Sequence, residues 1–297
     1  MSPSAAPTIQ GGYIGRFAPS PSGPLHMGSL VCAIASYLDA KSHNGQWLIR
    51  IEDIDPPREM PGADADIIHC LESHGLISDG PIMYQSTRSK AYNQALNTLH
   101  DQGLTYYCQC TRKRLKSIGG IYDGYCRDKR HKSGALKLNI EAAKMKGANL
   151  EQAFEDGICK ALAQSVSELG DFAIHRKDGF YAYQLAVVID DIAQHISHVV
   201  RGQDLLETTF QQQLLFELLG KRPPEYCHIP LVMADDGRKL SKQNGAPAID
   251  SGKPEQNIKD ALQMLKVRPE GNTCESLIAN AINAWPAAKA ALRAQAR

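Results

Sequence analysis

Long hydrophobic runs are missing from this sequence of 297 residues. No apolar run reaches the roughly 18 residues that a membrane-spanning helix requires, which argues against such a helix. Residues 1–15 (MSPSAAPTIQGGYIG) also lack the basic and apolar regions of a secretory signal. We therefore expect a cytoplasmic protein, in which the eight cysteines are thiols or metal ligands rather than disulfides.

Net charge is almost absent as well. The chain has 33 Lys and Arg against 32 Asp and Glu, a formal charge of +1, which excludes a globally basic nucleic-acid binder but not a local basic patch. Internal repeats and low-complexity stretches are missing, except for an alanine-rich C-terminal part. The length of 297 residues corresponds to about two domains and is enough to bury a real core. A hydrophobic content of 43% at low net charge argues against global disorder.

The first 55 residues have the pattern of a strand, a loop, a helix and a second strand. Residues 13–17 are apolar and β-leaning, and the loop that follows (APSPSGPLHMGS) contains three prolines that exclude regular structure. A helical spacing of apolar residues begins near Gly28, and Gln46–Ile51 has the composition of a buried strand. This order predicts a βαβ unit, from which parallel sheets are built.

The rest of the chain mixes helical and strand patterns. Helical patterns are predicted for six further stretches: 62–75, 88–102, 149–165, 204–219, 255–266 and 274–295. Short apolar runs predict three strands, at 185–189, 198–200 and 228–233. The stretch 104–132, which contains three cysteines, is predicted to be irregular. The sequence therefore predicts an α/β fold with an insertion in the middle and a helical tail.

Two loops have the composition of phosphate-binding segments. In residues 16–29, glycine and serine before a helix present backbone N–H groups, His26 adds a donor, and Gly28 permits close approach of a flat ring. In the loop GRKLSKQ, Lys239 and Lys242 supply positive charge for a polyphosphate. The alternatives are a proline-stiffened turn for the first loop and a solvated surface loop for the second.

Three cysteines lie close together in the irregular stretch, at Cys108, Cys110 and Cys126. Among turn-forming residues they indicate a closed structural zinc site, and tetrahedral zinc requires a fourth ligand. Ligand chemistry makes histidine the first choice but leaves five candidates: His131, Tyr122, Asp123, Tyr125 and Asp128. The alternative is three ordinary reduced thiols.

The same stretch concentrates positive charge. Residues 112–132 contain eight Lys or Arg and two Asp, a net +6 in a chain whose total is +1. The eight are Arg112, Lys113, Arg114, Lys116, Arg127, Lys129, Arg130 and Lys132. Such a patch is typical of contact with a nucleic-acid backbone, and a solvated loop is the weaker alternative.

Polar side chains also follow several predicted strands. Ligands of open α/β sheets bind beyond the carboxyl ends of the strands, which makes four residues candidates for one pocket: Arg16, Glu52, Tyr183 and Arg201. Two cations, one acid and one phenol suit a small zwitterionic acidic ligand such as an amino acid. The alternative is a set of structural ion pairs.

Five segments, taken in order, resemble the class I aminoacyl-tRNA synthetases, specifically the glutamyl branch: RFAPSPSGPLH, RIEDIDPPRE, YQLAVVIDD, HVVRGQDLL and HIPLVMADDGRKLSK. PSGPLHMGS is similar to the HIGH signature of that family and KLSKQ to its KMSKS signature. Only 54 residues follow Gln243, too few for the anticodon-reading region of the full enzymes. YYCQCTRKRLKSIGGIYDGYCR resembles the zinc-binding segment of a truncated branch, the glutamyl-queuosine tRNA(Asp) synthetases.

The resemblance implies activation of L-glutamate by ATP with Mg²⁺, without tRNA, and transfer of glutamate to queuosine at the wobble position of tRNA(Asp). It assigns the glutamate site to Arg16, Phe17, Ala18, Pro19, Ser20, Glu52, Tyr183 and Arg201. It assigns the ATP site to His26, Gly28 and Lys242, with Lys239 in the same catalytic signature. One structural zinc ion is assigned to Cys108, Cys110, Tyr122 and Cys126, in preference to His131.

The architecture implied by the resemblance is a Rossmann-type parallel-sheet catalytic domain in two pieces, 1–85 and 186–245. A zinc-containing, tRNA-contacting subdomain at 86–185 interrupts it, and a short helical segment at 246–297 follows, without an anticodon-binding domain. We expect a monomer that does not bind membranes.

Three other interpretations compete with this one. A truncated glutamyl-tRNA synthetase that charges tRNA(Glu) conflicts with the missing anticodon region. A catalytically silent RNA-binding paralogue conflicts with the presence of both signatures. A general nucleotidyltransferase of the same superfamily conflicts with the match to the glutamate pocket.

Overall fold

The computed structural model describes residues 12–233, 240 and 247–296. It begins with β1 (Ile14–Phe17), α1 (Met27–Ser42) and β2 (Gln46–Ile51). β1 and β2 pair in parallel, with Ile14 opposite Gln46. Leu30, Ile34 and Leu38 recur at helical spacing on α1 and are fully buried in one hydrophobic core with the strands. The predicted βαβ unit is confirmed.

The remaining strands are β3 (Met83–Tyr84), β4 (Thr105–Cys108), β5 (Ala135–Leu138), β6 (Glu151–Asp156), β7 (Lys160–Ser165), β8 (Ala173–His175), β9 (His198–Gly202) and β10 (Glu225–Ile229). The remaining helices are α2 (Ala63–Ser73), α3 (Ser89–Asp101), α4 (Arg112–Ser117), α5 (Ile140–Met145), α6 (Val166–Leu169), α7 (Tyr183–Ala193), α8 (Leu206–Leu218), α9 (Pro254–Met264) and α10 (Cys274–Gln295).

Parallel pairing continues on both sides of β1. β2 pairs in parallel with β3, and β9 pairs in parallel with β10. A 2.9 Å hydrogen bond from the Ser197 N–H to the Ile14 carbonyl places β9 beside β1. The carboxyl ends of β1, β9 and β10 meet, because Phe17, Gly202 and Ile229 line one cavity. The predicted α/β fold with a parallel sheet is confirmed.

The middle of the chain builds a second core. β4, β5 and β8 form an antiparallel sheet, and β6 and β7 form a hairpin. α3, α7 and α8 pack with that sheet, so that Leu99, Leu185 and Leu214 are fully buried in the same cluster as Leu138. This second core joins the antiparallel sheet to α3, α7 and α8.

The helix predicted for 149–165 is wrong, because these residues form the β6–β7 hairpin. Their sequence is rich in strong helix formers. However, Asp156 Oδ1 accepts hydrogen bonds from the backbone N–H groups of Ile158 (2.9 Å) and Cys159 (2.8 Å), which closes a turn. Cross-strand pairing over six residue pairs then overrides the local helix propensity.

The strand predicted for 185–189 is also wrong, because this apolar run lies within α7. A short run of this kind fits a buried strand or a helix that is covered on all sides, and periodicity does not separate the two. Leu185 to Val188 are buried at four consecutive positions of the helix, so α7 is enclosed by the second core.

The structure differs from the prediction at two further places, the strand at 228–233 and the stretch 104–132. The strand predicted for 228–233 lies earlier, because β10 ends at Ile229, before Pro230, which has no N–H to continue the pairing. The stretch 104–132, predicted to be irregular, contains β4 and α4. Thr111 caps α4 by accepting a hydrogen bond from the Arg114 N–H at 3.2 Å.

The two C-terminal helices confirm the patterns at 255–266 and 274–295. They belong to the first core, in which Leu277 and Trp285 are fully buried together with Leu38 of α1. None of the described helices combines the length and the apolar character needed to cross a bilayer.

Candidate active site and candidate metal centre

A cavity of about 310 Å³ lies where β1, β9 and β10 end, beside the N-terminus of α1. Its volume falls in the range of small-molecule sites. Nine of the residues predicted for the glutamate and ATP sites line it: Arg16, Phe17, Ala18, Pro19, Ser20, His26, Gly28, Tyr183 and Arg201. The fold therefore brings two segments that are far apart in the chain into one cavity.

The N-terminus of α1 faces this cavity. His26 is the N-cap residue of α1, and its Nδ1 accepts a hydrogen bond from the Ser29 N–H at 3.3 Å. Gly28 leaves room for that ring, because a Cβ there would lie 3.1 Å from His26 Cε1. The first N–H groups of the helix and the positive end of its dipole suit a phosphate at this position.

Lys239 and Lys242 lie outside the described residues. Leu240, between them, is described: its N–H donates a 2.9 Å hydrogen bond to the Val232 carbonyl. Leu240 also lines the cavity.

Arg16 is held by a buried ion-pair network. Asp191 Oδ1 lies 3.2 Å from Arg16 Nε and 2.7 Å from Arg50 NH1. Burial by itself would raise the pKa of Asp191, but the two guanidinium groups outweigh burial and hold that pKa below its usual range. Our sequence reasoning missed this role of Asp191, although the residue lies in the segment YQLAVVIDD.

Glu52 does not line the cavity but lies next to it, since its N–H donates a 2.9 Å hydrogen bond to the Pro19 carbonyl. Its Oε1 is 3.7 Å from Arg50 NH2 and, within the described part of the chain, has no hydrogen-bond partner. Burial raises the pKa of Glu52 to about 7, although Arg50 and Arg16 oppose the increase. A buried carboxylate oxygen without a donor is costly, and a donor on a ligand would remove that cost.

Arg201 lines the cavity from the end of β9 and is held by neutral groups. Its Nε donates to His228 Nε2 at 3.1 Å, and its NH2 donates to Thr209 Oγ1 at 2.7 Å. Its NH1 lies 3.5 Å from the Tyr183 hydroxyl. Our sequence reasoning missed Thr209 and His228. His228 lies in the segment HIPLV, whereas Thr209 has no local signal because its contact with Arg201 depends on the docking of α8.

A second constellation lies after β4. The Sγ atoms of Cys108, Cys110 and Cys126 all lie within 4.8 Å of one another. The Tyr122 hydroxyl is 3.3 Å from Cys108 Sγ and 3.5 Å from Cys110 Sγ. Tetrahedral zinc with thiolate ligands holds its donor atoms about 3.8 Å apart, which is close to the 3.6 Å between the Sγ atoms of Cys110 and Cys126. His131 is not part of the cluster.

The structure divides the basic residues of 112–132 into two groups. Arg114 pairs with Asp123 (2.6 Å), and Arg127 pairs with the buried Asp171 (2.6 Å). The other six are exposed: Arg112, Lys113, Lys116, Lys129, Arg130 and Lys132. Lys129 Nζ lies 3.1 Å from the ring centroid of the exposed Tyr125. We call these six residues the basic cluster; their side chains are exposed and accessible to a polyanion.

Known proteins are similar to this chain in fold and in sequence. The family model "tRNA synthetases class I (E and Q), catalytic domain" matches residues 14–268. The solved structure of a glutamate tRNA ligase from Elizabethkingia meningosepticum in complex with its amino acid is similar, with a TM-score of 0.76 and 26% identity. That match covers 94% of this chain and 66% of the ligase, so this chain spans just under two thirds of its length.

Two curated relatives are more similar in sequence. Glutamyl-Q tRNA(Asp) synthetase of Escherichia coli O6:H1 is 48% identical over 279 residues, which covers 92% of this chain and 89% of the relative. The protein of the same name from Shewanella amazonensis is 48% identical over 272 residues, 91% of each chain. The chain therefore belongs to the class I tRNA synthetases of the E and Q type and, within them, to the glutamyl-Q tRNA(Asp) synthetases.

Proposed function

We propose that this chain activates L-glutamate with ATP in the absence of tRNA, and that it then transfers glutamate to the queuosine at the wobble position of tRNA(Asp). The observation that carries the proposal is the cavity at the strand ends, which is lined by nine of the predicted glutamate-site and ATP-site residues. The chain is 48% identical to a glutamyl-Q tRNA(Asp) synthetase.

The buried charges beside the cavity complement glutamate. Arg16, Arg50 and Arg201 are buried, and the carboxylates ion-paired with the first two are Asp191 and Glu52. Three cations against two anions leave an excess of one positive charge when Glu52 is ionised. Glutamate has two carboxylates and one ammonium, a net charge of −1. We assign Arg16 and Arg201 to its carboxylates and Glu52 to its ammonium.

The chemistry of activation requires positioning and charge rather than a base. The α-carboxylate of glutamate is already a nucleophile; one of its oxygens attacks the α-phosphorus of MgATP, and the bond to pyrophosphate breaks. Rate acceleration in such a step comes from holding the reactants in line and stabilising the phosphate charge. We assign His26 and Lys242 to the phosphates, with Lys239 on the same loop, and Gly28 to the approach of the adenine ring.

In the second step, a hydroxyl of the queuosine cyclopentenediol attacks the carbonyl carbon of glutamyl adenylate. An ester forms, the hydroxyl group loses its proton, and AMP leaves. We propose that the basic cluster binds the phosphates of the anticodon arm, which supplies the attraction while the modified base enters the cavity. The exposure of its side chains, such as Lys113 and Arg130, supports this assignment.

We also propose one structural zinc ion per chain, bound by Cys108, Cys110, Tyr122 and Cys126. Four protein ligands leave no open position for catalysis. Zinc bound there would order the short elements around β4 and α4, which have few buried apolar residues of their own.

The domain division proposed from the resemblance has a catalytic domain at 1–85 and 186–245, an inserted subdomain at 86–185 and a helical segment at 246–297. We propose that the chain acts as a monomer. The hydrophobic contacts of α10 with α1 support a C-terminal segment that packs on the catalytic domain rather than one that binds RNA.

The first experiment is ATP–pyrophosphate exchange with glutamate and without RNA. Exchange should be present, and Lys242→Ala should reduce it by about 100-fold or more, the usual cost of removing a group that stabilises transition-state charge. Lys253→Ala, at an exposed lysine, is the matched control. Exchange that requires tRNA would contradict the proposal.

The second experiment identifies the acceptor. Labelled glutamate should attach to tRNA(Asp) that contains queuosine and not to the same tRNA with unmodified guanosine. Equal labelling of both, labelling of tRNA(Glu), or label lost with the 3′-terminal adenosine would instead favour a truncated glutamyl-tRNA synthetase.

A further inference from the structure

Arg201 is hydrogen-bonded to His228, which is hydrogen-bonded in turn to Asp156, and these two buried residues do not line the cavity. Arg201 Nε donates to His228 Nε2 at 3.1 Å, and His228 Nδ1 lies 2.6 Å from Asp156 Oδ2. Asp156 and His228 are fully buried, Arg201 is 3% exposed, and neither Asp156 nor His228 lines the cavity. The three side chains come from the β6–β7 hairpin, β10 and β9, so only the folded chain brings them together.

The direction of these hydrogen bonds follows from the chemistry of arginine. A guanidinium group has donors only, so His228 Nε2 must accept and its proton must be on Nδ1. Nδ1–H then donates to Asp156, whose Oδ1 also accepts from the Ile158 and Cys159 N–H groups at the hairpin turn. Burial lowers the pKa of His228, in agreement with a neutral ring.

A neutral histidine orients Arg201 without cancelling its charge. Arg16 and Arg50 share the carboxylate of Asp191. In contrast, no carboxylate within the described ranges pairs with Arg201, whose partners are His228, Thr209, Tyr183 and the Leu205 carbonyl. The positive charge of Arg201 is therefore not neutralised by any carboxylate in the described part of the chain, and it is available to a ligand carboxylate.

We propose that His228 and Asp156 are positioning residues for the acidic substrate: Asp156 selects the Nδ1–H tautomer of His228, and His228 in turn fixes the guanidinium of Arg201 at the cavity wall. The inference rests on the proposed function, because it requires that Arg201 binds a carboxylate of glutamate. It extends the site to two residues outside the cavity and to the hairpin that carries Asp156.

The C-terminal helix supports the same hairpin. Arg293 of α10 donates hydrogen bonds to the Asp156 carbonyl and to the Glu155 carboxylate. The turn that holds the Asp156 side chain is thus also attached to α10.

Two substitutions at His228 separate positioning from packing. In His228→Asn the amide lies near the position of Nδ1 and retains a donor for Asp156, but Arg201 Nε loses its acceptor. In His228→Gln the longer side chain brings an amide oxygen near the position of Nε2 and retains that acceptor. We expect His228→Asn to raise the KM for glutamate in the exchange reaction about tenfold or more, since a hydrogen bond to a charged group is lost. The KM for ATP should change less than about twofold, and His228→Gln should restore most of the affinity for glutamate.

Asp156→Asn is the second variant. Its amide nitrogen donates to His228 Nδ1 and so favours the Nε2–H tautomer, which cannot accept from Arg201. We expect this variant to raise the KM for glutamate as His228→Asn does, and it provides the test should His228→Asn not fold. Thermal unfolding of each variant reports stability separately from the KM values.

The outcomes distinguish the two proposals. A wild-type chain without glutamate-dependent exchange would overturn the proposed function and this inference with it. An active wild-type chain in which the Asn variants leave the KM for glutamate unchanged would overturn only the inference. The same would follow if the Asn and Gln variants at His228 lost affinity equally in proportion to a lowered Tm, which is the result for a merely structural role.

Discussion

Trp285 donates a 2.7 Å hydrogen bond from its indole Nε1 to Asp39 Oδ1. Trp285 lies on α10 and Asp39 on α1, and both are buried. Lys289 Nζ donates to the same oxygen at 2.8 Å, and the Tyr13 hydroxyl donates to Oδ2 at 2.6 Å. The last helix is thereby attached to the first helix and to the residue that precedes β1.

We expect Trp285→Ala to lower the free energy of unfolding by about 3–5 kcal/mol, because it removes a fully buried aromatic side chain and one donor to a buried carboxylate. Urea unfolding followed by circular dichroism measures the change. Asn283→Ala, at an exposed position of the same helix, should change the free energy by less than about 0.5 kcal/mol. Equal stability of the Trp285 variant and the wild type would mean that α10 is not part of the folded core.

The affinity for glutamate should depend on pH through Glu52, whose pKa burial raises to about 7. Below pH 7 the free protein has mostly neutral Glu52, whereas a bound ammonium favours the ionised form. Binding must then release a proton, so the KM for glutamate should rise as the pH falls below about 7.

The matched variant for this pH dependence is Glu52→Gln. It should raise the KM for glutamate at pH 8, because the ammonium loses its partner, and it should flatten the dependence between pH 6 and 8. A variant that keeps the wild-type pH profile would show that the titrating group is not Glu52.

Metal content should depend on the cysteine cluster. We expect one zinc per chain in the wild type, loss of zinc in Cys110→Ser, and increased proteolysis within 104–132, because the ligand atoms converge there. Cys274→Ser, at a cysteine outside the cluster, should retain the metal. Elemental analysis after gel filtration provides the measurement.

Two variants test whether Tyr122 or His131 is the fourth zinc ligand. Tyr122→Phe should weaken zinc binding against a chelator, and His131→Ala should not, because the Tyr122 hydroxyl is 3.3 Å from Cys108 Sγ. Release of zinc by the His131 variant alone would replace Tyr122 with His131 in the ligand set.

The basic cluster should govern affinity for tRNA without affecting activation. Arg130→Glu should weaken binding and reduce the slope of log K against log salt by about 1, since one phosphate contact is lost. Glutamate-dependent exchange should stay within about twofold of wild type, because the cluster does not line the cavity. Filter binding at several salt concentrations measures the effect.

The control for this charge reversal is Arg268→Glu, an equal change at an arginine that is 87% exposed and lies outside the cluster. Arg114 is unsuitable for the test, because it pairs with Asp123 and also lies 3.6 Å from Cys110 Sγ. Equal loss of affinity in both reversal variants would indicate an effect of net charge rather than a specific surface.

The βαβ unit and the C-terminal helices were predictable because their signals are local. Apolar residues at helical spacing, prolines in the loop and a short buried strand lie within a few residues of one another, as in Leu30 to Leu38. The failures at 149–165 and 185–189 have one physical cause. Helix propensity and short apolar runs are weak indicators of secondary structure. At 149–165 the pairing of two strands decided the structure, and at 185–189 the core around the helix decided it.

The sequence by itself determined which chemical groups are available: the histidine and glycine of the first loop, the two lysines of the second, and the three cysteines with Tyr122. Tertiary structure decided how the cavity residues are held. Arg16 meets Asp191 across 175 positions of the chain, and Arg201 meets His228 across 27. Because such side-chain contacts arise only when separate elements pack against each other, no local pattern indicates them, and the positioning of the arginines is a property of the folded chain.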